Sequence, residues 1–305
     1  MTVTTNAAQA PHLIALATLL LAGLGIPAWS ATQTFSAQKP ADPGGTVEII
    51  NVAGSIDISG WDKNAVDVSG KIGDKVERVD VSSSANRTTV RVVLPSGSSW
   101  TGDSSADLKI RVPQKSTLEV SLVSADLRVT GVTGNQHLQT VSGDIAGDAN
   151  GDLEVNTVSG DVRLAARNAH NTQFKTVSGD LIVNGADGEV QMNTVSGDTE
   201  LVLGTVSRAQ LQSVSGDMKV SGTLAADGQI DAQSISGDVQ LNLAAQPDAD
   251  IDVQTFSGDI SNCFGPKALE QQYGPGSRLN FRNGKGGGRL HLETKSGDVR
   301  LCARK

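Results

Sequence analysis

From Val47 to the C-terminus, apolar side chains recur at every second position in runs of two or three, and each run is cut by the same five-residue signature. Residues 153 to 164 show it whole. Leu153 and Val155 lead into Thr157-Val158-Ser159-Gly160-Asp161, and Val162 and Leu164 follow. The signature is repeated at 140–144, 176–180 and 194–198, and more loosely at 213–217, 234–238, 255–259 and 294–298. Val123-Ser124-Ala125-Asp126 is a degenerate copy. Alternation with period two predicts strands, so each repeat is expected to hold two short ones, before and after the Ser-Gly.

The parity of the apolar positions locates a bend. Leu153 and Val155 are odd-numbered, whereas Val162 and Leu164 are even. A strand running straight through would turn one of these pairs to water. The same slip separates Val190 and Met192 from Leu201 and Leu203. Ser-Gly is therefore a corner, where Gly143, Gly160, Gly179, Gly197, Gly216, Gly237, Gly258 and Gly297 accept backbone angles that other residues avoid.

The Asp positions 126, 144, 161, 180, 198, 217, 238 and 259 lie 17 to 21 residues apart. A unit this short cannot bury a core alone and must stack on its neighbours. The fold class expected is all-β, a parallel β-solenoid (β-helix-like) of about nine coils, on the order of 40 Å long at roughly 4.8 Å per coil. An antiparallel sandwich uses similar turn spacing, but near-identical corners favour a stack in register.

The pattern also divides the chain. Residues 1–30 are expected to be a signal peptide, 31–45 a mobile leader, 46–113 an N-terminal β region capping the solenoid, and 114–305 the repeat array. Residues 47 to 58 fit the template as a drifted first repeat. Between Asp259 and Asp298 the interval grows to 39 residues. Aligning Leu279-Asn280-Phe281 with Leu241-Asn242-Leu243 reads this as one insertion within a single coil, residues 262–277, with a helical turn expected at 266–272.

The signal reading rests on the apolar run from Leu13 to Ile26, short for a bilayer span, and on Ala28-Trp29-Ser30 at the cleavage site. It implies an exported protein, periplasmic or at the cell surface, with no integral span after cleavage. Residues 1–30 carry no Asp, Glu, Lys or Arg, so the mature chain keeps the formal charge of −8. That acidity opposes nucleic acid and anionic lipid as partners. Beyond the signal only Trp61, Trp100, Tyr273 and the Phe residues are aromatic, so there is no stacking platform for sugars or bases.

Candidate chemistry is sparse. Cys263 and Cys302 each sit four residues after the Asp of their own corner. If their coils are neighbours, the Cα atoms are about 4.8 Å apart and a disulfide is expected, in keeping with an oxidising compartment. Stacking would also align Asp144, Asp161, Asp180, Asp198, Asp217, Asp238 and Asp259 in a row. Unit charges at that spacing repel by roughly 1 kcal/mol even in water. Either each carboxylate accepts backbone N–H bonds at its own corner, or the row collects divalent cations such as calcium. Calcium needs six or more oxygens, which one Asp per coil hardly supplies. No other cofactor or metal is expected.

The Thr or Ser that opens each signature reads as a hydrogen-bonded ladder along the stack. Lys295, replacing Val in the last copy, reads with Arg300, Arg304 and Lys305 as charge placed to stop edge-to-edge pairing. His137, His170 and His291 form no visible triad or metal cluster, so no enzyme is expected.

The repeated Leu-x-Val-x-Thr-Val-Ser-Gly-Asp-Val-x-Leu, the lead-in Leu108-Lys109-Ile110-Arg111-Val112-Pro113 and Gly60-Trp61-Asp62 resemble the bacterial putative-adhesin family of β-strand-repeat proteins, a domain of unknown function. The likeness spans most of residues 46 to 302. It implies an exported, non-catalytic β-solenoid of the cell envelope, with no family catalytic residues to carry over. The function expected is a monomeric adhesin or binding scaffold that meets a protein or polysaccharide. A cation-binding structural rod or envelope-stress accessory protein is the alternative, and a polysaccharide-active β-helix enzyme a remote one.

Overall fold

The computed structural model describes residues 33–95, 102–270 and 276–304. The expected signal segment, Trp100, Tyr273 and Lys305 lie outside these residues. Among the described residues every regular element is a strand. In chain order they begin with β1 (Gln33–Pro40), β2 (Thr46–Trp61), β3 (Ala65–Ile72), β4 (Arg78–Ser84), β5 (Arg87–Val93), β6 (Ala106–Pro113) and β7 (Thr117–Thr130).

The coils follow as strand pairs split by the corner: β8 (Gln136–Ser142) with β9 (Ile145–Ala149), β10 (Leu153–Ser159) with β11 (Val162–Ala166), β12 (Asn171–Ser178) with β13 (Leu181–Asn184). After β14 (Gly188–Ser196), two long strands, β15 (Thr199–Ser215) and β16 (Met218–Ser236), each finish one coil and begin the next. The chain ends with β17 (Val239–Leu243), β18 (Ala249–Ser257), β19 (Ile260–Asn262), β20 (Leu269–Glu270), β21 (Ser277–Asn283), β22 (Gly288–Ser296) and β23 (Val299–Ala303).

Strands before the corner pair in parallel with one another, and so do strands after it. Ser159 lies opposite Ser142 and Ser178, and Val162 opposite Ile145 and Leu181. The corners therefore superpose level upon level, as parity requires. Leu153, Val155, Val162 and Leu164 are all buried, and Phe174 is the largest side chain at the centre. Each such residue contributes roughly 1.5–3 kcal/mol by leaving water, but only because the next level covers it.

The nine coils with a Ser-Gly-Asp or Ser-Ala-Asp corner are present, and two further levels extend the stack below them. β2 lies in register on β7 from Thr46 to Ser59, and its other edge pairs in parallel with β5 and β6. The cap proper is antiparallel: β3 runs against β6, β1 against β3, and β4 against β5. This corrects the expected leader at 31–45. β1 pairs with β3 along all eight residues, Gln33 to Pro40. Its composition is polar, but Phe35 packs on the core and the strand covers an edge that would otherwise stay open.

At the far end the order of the stack is not the order of the chain. β22 pairs in parallel with β16 on one side and with β18 on the other, and β23 lies likewise between β17 and β19. The C-terminal coil is thus inserted between two coils that precede it in sequence. The insertion expected at 262–277 is corrected accordingly. Leu279 to Phe281 do not resume the coil, because β21 turns back antiparallel along β18, with β20 paired to β21. The segment expected to hold a helical turn contains β20 instead. The edge role given to Lys295 and Arg300 falls as well, since their strands are paired on both sides and β20 and β21 close the outer edge.

Candidate functional site

The corners bring the repeated residues into straight rows. Asp126, Asp144, Asp161, Asp180, Asp198, Asp217, Asp238, Asp298 and Asp259 follow one another up the stack. The backbone N–H of each donates to Oδ1 of the one below at 2.8–3.0 Å. The carboxylates accept N–H bonds, but from the next coil rather than from their own corner. In a parallel stack backbone donors point along the axis, and a side chain as short as Asp reaches one level and no further. These bonds offset the repulsion between neighbouring charges. The Asp161 carboxyl is held below the usual range, chiefly by the N–H of Asp180 and then by Arg163. Among the described residues no three His, Cys, Asp or Glu side chains converge as a metal-binding group.

The corner glycines are required twice over. All eight have φ between +111° and +145°, where L-residues are strained. A Cβ on any of them would also stand 2.2–2.3 Å from a carbonyl oxygen of the adjacent level. The Thr row differs from the ladder expected. Thr140, Thr176, Thr194 and Ser213 donate to the carbonyl two residues on in their own corner, at 3.3–3.5 Å. Only Thr255 and Thr294 reach a glycine carbonyl in the neighbouring coil. The hydroxyl meets its own turn first because the corner folds that carbonyl back towards it.

The second position of the signature carries the surface feature that the sequence reading passed over. Val123, Val141, Val158, Val177, Val195, Val214, Ile235 and Phe256 all point outward, with Val195 47% and Phe256 61% exposed. They form a ridge along the stack, interrupted only by Lys295, whose level lies between those of Ile235 and Phe256. Beside the ridge runs a groove of about 960 Å³. The buried Thr157 and Thr176 lie at its floor, and Asn156, Lys175, Asn193 and Gln212 line its far side. The signal was in the parity: Val158 has the opposite phase to Leu153 and Val155, so it must face water.

Cys263 and Cys302 are joined by a disulfide, with Cα atoms 4.8 Å apart. Ile260 lies opposite Val299 and Asn262 opposite Leu301, so the bridge continues the pairing of β19 with β23. His137 Nδ1 lies 3.0 Å from Glu154, while His291 lies 3.7 Å from both Asp252 and Glu293. These are two separate polar contacts, not a shared centre. Trp61 donates its indole N–H to the Ala65 carbonyl at 2.7 Å and is covered by Arg111, 4.6 Å from the ring centre. Among the described residues no helix is long and apolar enough to cross a membrane.

Parallel coils in register, an Asp–amide ladder and glycine corners define a repeat β-solenoid. The chain belongs to the Toastrack DUF4097 family, whose model matches residues 46–302. No curated protein shows a significant match. Among solved structures, one from Parabacteroides distasonis, named a putative lipid binding protein, is 12% identical. The alignment covers 89% of this chain and 98% of that one, with a TM-score of 0.54. Another from Bacteroides fragilis, named a putative adhesin, is 12% identical over 89% and 98% of the two chains, with a TM-score of 0.38. The first of these likenesses is one of fold.

Proposed function

We propose that this protein is an exported, non-catalytic binding scaffold of the bacterial cell envelope that engages a macromolecule through the corner ridge and its groove. The single observation carrying this reading is the ridge itself. Eight apolar side chains stand out from one edge of the stack, seven of them on consecutive levels from Val123 to Ile235, and a contiguous apolar strip rimmed by polar groups is characteristic of an interaction surface. The strip is not needed for the core, which is already closed behind it by the inward Leu, Val and Thr rows. The adhesin name attached to structural relatives agrees with this role. The disulfide agrees with an oxidising compartment, periplasm or cell surface. A non-catalytic role is supported by the uniformity of the corners, since hydrolytic clefts need unlike carboxylates set at defined separations.

The test is binding of the purified protein to envelope fractions of its own cells, beside the variant V158D/V177D/V195D. Saturable binding by the wild type, weakened at least tenfold in a variant that keeps its melting temperature, is expected. Equal binding by both proteins, or none by either, overturns the reading.

A further inference from the structure

The ridge has a neighbour of matching shape on its own molecule. Ridge and groove run side by side along the stack, and both repeat once per coil. Two such surfaces placed face to face about a two-fold axis parallel to the stack exchange partners, so that each ridge enters the other's groove. This is an isologous, self-complementary contact. Resting on the reading that the corner strip is a binding surface, we infer that its partner is a second copy of this chain, lying alongside in parallel.

Period supports this choice. Side chains on adjacent levels are separated by the inter-strand distance of about 4.8 Å. A second ladder with the same spacing repeats a favourable contact at every level, as identical side chains do in interdigitated sheets. A polymer with another repeat drifts out of step within a few coils. Electrostatics selects the orientation. The Asp row runs on one side of the ridge only, and the amide wall with Lys175 on the other. The parallel two-fold carries the two Asp rows to opposite sides and sets each Lys175 towards the Asp180 flank of the other copy. Reversing one rod would set Asp row against Asp row.

Other occupants fit less well. The groove is lined by no aromatic side chain on which a sugar could stack, and the Asp row opposes an anionic bilayer. Lys295, ion-paired with Glu293, ends the strip, so the contact runs over the seven levels from Val123 to Ile235.

Sedimentation of the purified protein at tens of micromolar tests the pairing. A dimer is expected, with association weakened at least tenfold by V177D/V195D and also by V177T/V195T, which keeps the β-branched shape. A variant V141C is expected to cross-link to itself under oxidation, because the parallel two-fold sets level against like level. In the reversed arrangement the two copies of position 141 stand several coils apart. A wild-type monomer, a dimer indifferent to both ridge variants, or no V141C cross-link overturns the inference. Binding to envelopes from cells lacking this protein separates it from the broader reading. Ridge-dependent binding that persists there overturns self-pairing alone, and its loss supports it.

Discussion

The backbone N–H of Asp180 donates to Oδ1 of Asp161 across 3.0 Å, from one coil to the one below. The same bond is made at eight successive steps of the stack. A row of like charges thereby becomes a row of charge-assisted hydrogen bonds, each tying one coil to the next in register.

Asp161→Ala removes one rung and leaves the Asp180 N–H without its partner. A loss of about 1–2 kcal/mol at pH 7 is expected, and less for Asp161→Asn, which keeps an acceptor oxygen. The Asp161 carboxyl is held low by the Asp180 N–H first and Arg163 second. Its contribution is therefore complete above the unfolded value of about 4 and is lost as pH falls through the lower folded value. Urea midpoints at pH 7 and pH 3 should show the gap between the wild type and Asp161→Asn closing in acid.

Gly179→Ala and Gly131→Ala separate steric approach from backbone strain. Both glycines have positive φ, but a Cβ at 179 meets the Gly160 carbonyl oxygen at 2.3 Å, whereas at 131 its nearest neighbour is 3.8 Å away. Gly131→Ala should cost about 1 kcal/mol. Gly179→Ala should cost more than about 3 kcal/mol and lower soluble yield. Equal melting temperatures for the two variants would refute the account of the corner.

Breaking the Cys263–Cys302 bridge should cost about 3–4 kcal/mol, the chain-entropy value for closing a loop of this size, here with a separation of 39 residues. Reductant should lower the melting temperature of the wild type and leave that of C263S/C302S unchanged. Limited proteolysis should cut first between residues 264 and 288 in the reduced protein.

Calcium should neither release heat nor raise the melting temperature at millimolar concentration. Oδ1 of Asp126, Asp144, Asp161, Asp180, Asp198, Asp217, Asp238 and Asp298 is already engaged by a backbone N–H, and calcium needs six or more oxygens. A saturable heat removed by Asp161→Asn would show that a site exists.

The coil was legible because its evidence is local. The phase change between Val155 and Val162 requires a corner, and the repeat length requires stacking. The Cys positions could be read because they keep the same offset from their Asp. The order of the levels could not be read. A corner at 294–298 fits equally well outside 255–259 or between 234–238 and 255–259, since all carry the same Ser-Gly-Asp. The antiparallel return of Ser277–Asn283 along Ala249–Thr255 decides between them, and such pairing leaves no repeat to align. β1 was hidden for a related reason: a strand of eight residues with few apolar positions is defined by the edge it covers. The ridge was readable in principle, but Val158 passed as part of a motif when its phase already placed it in water.

The insertion of Val299–Ala303 between β17 and β19 makes β23 a keystone. A solenoid built in order can be shortened from its end and remain a shorter solenoid. This one cannot. A chain that stops before residue 288 lacks an inner course, and the coil above it has nothing to rest on. The level formed by β18 and β19 therefore finds its seat only after β22 and β23, which follow it in sequence, are in place.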